Sequence, residues 1–167
     1  AYRGYAVHSE DTGGGRRASH AYIRRCEFYA SVNGLDVDHS IYVNGSGNTN
    51  VFDGCTVTAN GAHHAGDTAI RVNDADVLVL ACHFEQHTDG VGISKGAGKG
   101  GGVVVTSTGH SSVTNVVRIY DDDPPVLLLG VRALGSTYAY VNDRTGEKEA
   151  LSIGMYSNRR STARGRT

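Results

Sequence analysis

The chain contains no tryptophan, two prolines, one methionine and three cysteines among 167 residues. Cys26, Cys55 and Cys82 recur at nearly equal intervals, 29 and then 27 positions along the chain. An odd number at near-regular spacing suits neither a closed disulfide framework nor a CxxC-type metal site. No apolar run approaches membrane-spanning length and no stretch resembles a signal peptide, so no membrane partner is expected. Two glycine-rich stretches, "SEDTGGGRR" and "SKGAGKGGG", match no P-loop and precede no helical apolar pattern; they read as surface loops. A dominant charge sign is also missing, with 16 basic residues against 17 acidic ones. Four of the arginines fall in the closing "NRRSTARGRT", which leaves residues 1–157 with 12 basic and 17 acidic groups. An acidic body argues against nucleic acid as a partner. The chain starts at Ala1 rather than methionine, and a piece of a longer protein is expected.

Glycine is plentiful, at 23 residues, and accompanies many Val, Asn, Thr and Ser. That mixture points to a turn-rich β protein, long enough for one domain with a core. The cysteines mark equivalent places in a repeat, each filled by a small, soft, buried side chain. Strand-like triplets recur around them: Tyr5-Ala6-Val7, Ile41-Tyr42-Val43, Ile70-Arg71-Val72, Val103-Val104-Val105 and Ala139-Tyr140-Val141. A hydrogen-bonding residue follows each: His8, Asn44, Asn73, Thr106 and Asn142. The step from Cys26 to Ile41 equals that from Cys55 to Ile70, and the step from Asn44 to Cys55 equals that from Thr106 to Val117. This spacing places Val117 in the cysteine column. Two neighbouring columns are Phe28, Val57, Phe84, Ile119 and Ile23, Phe52, Val79, Thr114. A period near 29 without helical patterning describes a coil that hides its apolar face only by stacking on its neighbours. Residues 73–76 then turn the chain between two strands of one coil, and Cys82 fills an inner corner.

The stretches "SIYVNGSGNTNVFDGCTVTANG" and "TAIRVNDADVLVLACHFEQHTDG" resemble the repeats of right-handed parallel β-helices of the pectate-lyase-like superfamily. The expected fold is all-β: a right-handed, single-stranded parallel β-helix of about five coils with a C-terminal capping segment. Its coils span residues 1–120, an acidic, proline-containing turn and apolar connector 121–137, a last coil or cap 138–157, and a basic tail 158–167. The superfamily includes polysaccharide lyases, polygalacturonase-like hydrolases, epimerases and trimeric bacteriophage tailspikes, and fold alone does not choose among them.

Within a triplet the first and third residues face inward and the middle one outward, so Tyr42 and Arg71 are outward neighbours on adjacent coils. Asp38 and Asp67 precede their triplets by three residues and are 29 apart. Stacked carboxylates raise one pKa, the condition for a general acid and base pair. Asp38 and Asp67 are therefore the candidate catalytic residues; the alternative is that both merely start turns. With Tyr42 and Arg71 they compose a sugar-binding face. "HTDG", His87 to Gly90, resembles the NTDG element of polygalacturonase-like hydrolases and adds Asp89 to the substrate-binding set. His87 replaces the asparagine, however, and no Asp-Asp pair lies between Asp89 and His110, so that hydrolase mechanism is not carried over. The arginine-and-calcium constellation of the lyases is also missing. His63 and His64 join the substrate-binding set from a loop. Adjacent strand residues would face opposite ways, which argues against a metal there. Asp121-Asp122-Asp123 reads as a solvated turn before Pro124-Pro125, and no metal or cofactor is expected.

Tyr22, Val51, Leu78 and Val113 each precede an inward residue and so form an apolar stripe outside the core. A neighbouring chain in a homotrimer would cover it, as the tailspike resemblance implies; a flanking loop is the alternative. The expected protein is extracellular or virion-associated and binds, or also depolymerises, a host surface polysaccharide. The competing functions are a monomeric polysaccharide lyase or hydrolase and a structural shaft without ligand.

Overall fold

The computed structural model describes residues 7–10, 22–31, 39–44, 50–60, 68–73, 76–94, 103–109, 113–120, 125–142, 151–154, 156–157 and 163–165. Among them every regular element is a β-strand, and no helix is long and apolar enough to cross a membrane. The strands come in successive laps of the chain. The first lap has β1 (Val7–Glu10), β2 (Tyr22–Arg24) and β3 (Glu27–Ser31). The second has β4 (His39–Asn44), β5 (Asn50–Asp53) and β6 (Thr56–Asn60). The third has β7 (Thr68–Asn73) and β8 (Val77–Glu85), the fourth β9 (Asp89–Ser94) and β10 (Val103–Gly109). The fifth has β11 (Asn115–Ile119), β12 (Val126–Leu129) and β13 (Arg132–Ala133). The sixth has β14 (Tyr138–Asn142), β15 (Leu151–Ile153) and β16 (Tyr156–Ser157), after which β17 (Ala163–Gly165) begins another.

The first strand of each lap pairs in parallel with the first strand of the next, building a seven-stranded sheet ordered β1-β4-β7-β9-β11-β14-β17. The later strands of the laps build a second, ten-stranded parallel sheet. Parallel neighbours cannot be joined by a hairpin, so the chain must cross to the other sheet before returning. Val/Ile-rich segments suit this arrangement because one face of each strand packs against the other sheet. The core follows from that alternation: Phe52, Val57, Ile70, Val72, Val79, Phe84, Val91, Ile93, Val105, Val117 and Leu128 are all fully buried.

The register of the second and third laps agrees with the sequence. Ile41, Tyr42, Val43 and Asn44 oppose Ile70, Arg71, Val72 and Asn73. Tyr22, Val51 and Leu78 are successive partners, as are Ile23, Phe52 and Val79. Phe28, Val57 and Phe84 form a third column. Beyond the third lap a fixed period near 29 fails. Ile70 pairs with Val91, a markedly shorter step, so Val91-Gly92-Ile93 is the next triplet in the first sheet. Val103-Val104-Val105 belongs to the second sheet, opposite Val77-Leu78-Val79. Val117 accordingly stands in the column of Ile70 and Val91, not with the cysteines, and the place expected for Thr114 is held by Val105. Gly109 holds the place expected for Ile119. Val104 continues the outward column in place of Val113, which is itself buried. At the start of the chain Val7 opposes Ile41 rather than Val43, a shift of two. Residues 126–133, within the expected connector, pair with β10 as an ordinary lap.

The cysteine column is real. Cys26, Cys55 and Cys82 sit at a corner of the second sheet, with Thr56 N bonded to Cys26 O and His83 N to Cys55 O. Each thiol donates to a carbonyl two residues back, Cys26 to Arg24 O at 3.4 Å, Cys55 to Asp53 O at 3.7 Å and Cys82 to Leu80 O at 3.5 Å. Cys55 and Cys82 also reach the preceding lap, at Ile23 O and Phe52 O, both at 3.5 Å. A small side chain with a weak donor therefore serves the corner better than alanine. Burial pushes the Cys82 thiol up to about 12, which leaves it inert as a nucleophile.

The residue before each corner cysteine is left-handed: Arg25 at φ 51°, Gly54 at 62° and Ala81 at 49°. Gly130 and Gly154 repeat the conformation later at 58° and 65°. In the fourth lap this residue is deleted, and the register steps between Thr106 and Ser107 so that Ser107 meets Cys82. Two substitutions at this column should have opposite signs. Gly54→Ala is expected to destabilise by about 1 kcal/mol, whereas Ala81→Gly should stabilise by roughly 0.5–1 kcal/mol, read as shifts in a urea unfolding midpoint. Equal signs would mean the corner does not require positive φ.

Candidate functional site

The most chemically organised cluster lies where β7, β9 and β11 run side by side. Arg71, Gly92 and Arg118 are consecutive register partners there, and Thr68, Asp89 and Asn115 form the column that starts the same strands. Tyr120 follows β11, its amide bonded to Ile93 O at 2.8 Å. A Cβ on Gly92 would lie 3.2 Å from Tyr120 Cε2 and 2.9 Å from Thr68 Cγ2. Glycine at this one position thus lets the Tyr120 ring lean back across the fourth lap. The Arg71 guanidinium lies 4.2 Å from the ring centroid and that of Arg118 4.8 Å, so one ring holds two cations.

Asp89 lies beneath this stack with no exposed surface. Its Oδ1 accepts from Asn115 Nδ2 at 2.6 Å, and its Oδ2 accepts from the Tyr120 hydroxyl. Arg118 Nη1 is 3.9 Å from Oδ2. Burial raises the Asp89 pKa, opposed by the bonds from Tyr120 and Asn115 and by the charges of Arg118 and Arg71. Tyr120 is pushed up to about 12, first by burial and then by the Asp89 charge, so its hydroxyl stays a donor. The unit is a buried carboxylate that anchors a tyrosine, which in turn orients two arginines.

No family model, curated protein or solved structure matches this chain.

Of the residues expected from sequence, Arg71 and Asp89 meet in this cluster. Tyr42 stands one lap from Arg71 in the same register column. Asp38, Asp67, His63 and His64 lie outside the described residues; His39 and Thr68, which directly follow the two aspartates, are register partners. Asp89, expected to touch substrate, is instead enclosed by Asn115 and Tyr120. Among the described residues no group of three or more His, Cys, Asp or Glu side chains could hold a metal ion. Sequence reasoning missed Tyr120, Asn115 and Arg118. The recoverable signal was the Arg71–Gly92–Arg118 column, visible only once the short lap from Arg71 to Gly92 is recognised.

A raised carboxyl pKa makes a signed prediction. The favourable contribution of neutral Asp89 is fully present below its unfolded value near 3.8 and is lost as pH rises through the higher folded value. Relative to Asp89→Asn, the native protein should therefore lose thermal stability as pH rises above about 4. A stability difference that grows with pH would mean that the two arginines outweigh burial.

Proposed function

We propose that the laps wind as a right-handed parallel β-helix and that this domain recognises a host surface polysaccharide, as part of a tailspike-like receptor-binding protein outside the cell or on a virion. The observation that carries the reading is the column Tyr42, Arg71, Gly92 and Arg118, along which two guanidiniums are pinned to one ring. Small ligands are held in concavities. Two guanidiniums on alternate laps, held by one ring, suit an extended polymer lying across the laps. Asp38 and Asp67, which flank paired strands, are the candidate acid and base should the domain also cleave its ligand. Incubation with bacterial capsule and with pectin, followed by binding, reducing-end and unsaturated-product assays, tests the reading. Cleavage abolished in Asp38→Asn and Asp67→Asn identifies a depolymerase, and binding without product identifies a receptor-binding domain. Failure to bind or cleave any polysaccharide refutes carbohydrate recognition.

We further propose that the domain self-associates as a homotrimer; a separate observation supports a covering partner. Val51, Leu78, Val104 and Leu127 form an outward column that is only half-buried, and Tyr22 at its end is 62% exposed. Leu129 and Ile153 are exposed on the same sheet. A continuous apolar stripe of this kind favours a covering partner. Sedimentation equilibrium should give three times the 17.6 kDa chain mass, falling to one chain in Leu78→Lys. A native monomer overturns the trimer.

A further inference from the structure

We infer that the polymer is an acidic polysaccharide carrying one carboxylate per disaccharide, and that Arg71 and Arg118 bind its successive carboxylates. This rests on the polysaccharide reading above and narrows it. In the register column Tyr42, Arg71, Gly92, Arg118, Val141 and Arg164, arginine occupies every second lap. Adjacent parallel strands are about 4.8 Å apart, so the backbones of alternate laps are about 9.6 Å apart; the guanidinium carbons of Arg71 and Arg118, held at 4.2 and 4.8 Å from one ring centroid, are at most about 9 Å apart. That interval matches two extended pyranose units, and therefore the repeat of a polymer with a charge on every second sugar.

The side chains described in this column suit the task. The two guanidinium carbons lie 4.2 and 4.8 Å from the Tyr120 centroid, Arg118 directs Nη1 toward Asp89, and a guanidinium stacked on a ring keeps its N–H donors at its edges. An edge-on guanidinium binds a carboxylate through two parallel hydrogen bonds. The stack also removes much of the rotamer freedom that an arginine otherwise loses on binding. Among the described residues of this cluster one buried carboxylate, Asp89, stands against two guanidiniums, an excess of positive charge. Nucleic acid, with one charge per about 1.7 Å of duplex axis, does not fit the spacing.

The test is titration calorimetry with four probes: hyaluronan octasaccharide, charged on alternate sugars; oligogalacturonate, charged on every sugar; neutral dextran; and oligothymidylate. Hyaluronan should bind best and dextran not at all. Arg71→Gln and Arg118→Gln should each weaken hyaluronan about tenfold, the loss expected for one charge-assisted pair. Circular dichroism melts establish that each variant is folded. Arg71→Lys keeps the charge but not the planar fork; it should weaken binding by a smaller factor and supplies the readout should a glutamine variant not fold. Unchanged hyaluronan affinity in the arginine variants overturns the strip while leaving polysaccharide recognition standing. Oligogalacturonate bound as tightly as hyaluronan overturns the spacing. Oligothymidylate bound as tightly overturns the ligand class, and absence of binding to every glycan removes both this inference and the reading beneath it.

Discussion

Phe84→Ala is expected to lower the free energy of unfolding by about 3–5 kcal/mol. Phe84 is fully buried at the middle of the stack. Its column runs from Phe28 through Val57 to Gly109, and the ring also reaches across to Gly90 in the first sheet. It therefore fills space that two sheets and three laps share, and no single neighbour can collapse into the gap. Phe28 occupies the same column in the first lap but is only partly buried. Phe28→Ala should cost clearly less, since the cost of truncation scales with the cavity left behind. Urea unfolding of the two variants separates these cases. Equal losses would show that the first lap is as enclosed as the third.

Gly90→Ala should cost as much as the severe end of overpacking, about 3 kcal/mol, although it adds one methyl group. The new Cβ would fall 2.6 Å from Phe84 Cδ2 and 2.6 Å from Val116 O. A ring can turn away, but the carbonyl belongs to strand β11, which pairs with β9 beside it. Gly92→Ala makes the informative contrast. Its closest contacts are side-chain atoms, at 2.9 Å from Thr68, 3.2 Å from Tyr120 and 3.3 Å from Arg71. It should spare more of the stability but displace the arginine–tyrosine stack. Combining Gly90→Ala with Phe84→Ala should give less than the sum of the single losses, because one of the two clashes disappears. Strict additivity would separate Phe84 from Gly90.

Much of the repeat was legible because the second and third laps share both spacing and residue type. Ile-x-Val-Asn recurs at 41–44 and 70–73, and the structure aligns the two residue for residue. The cysteine corner was legible for the same reason, although its donor bonds to carbonyls were not. The fourth lap was hidden by composition. Gly90 and Gly92 interrupt the apolar alternation of β9, so that residues 89–94 look like a loop, and the valine run at 103–105 takes their place in a periodic reading. The glycines are there because Phe84 and Tyr120 need the space. Packing between sheets thus erased the local signal for a strand. Every later column inherited the slip, which is why Arg118 and Tyr120 could not be placed beside Arg71. The placement of the expected site residues has the same origin. Arg71 and Asp89 carry recognisable chemistry singly, but their meeting depends on a lap shorter than the two before it.

Backbone NOEs on isotopically labelled protein test the lap register most directly. Cross-strand amide and Hα contacts should join residues 70–72 to 91–93 and residues 77–79 to 103–105. Contacts joining 70–72 to 103–105 instead would restore the uniform period and dissolve the Arg71–Gly92–Arg118 column.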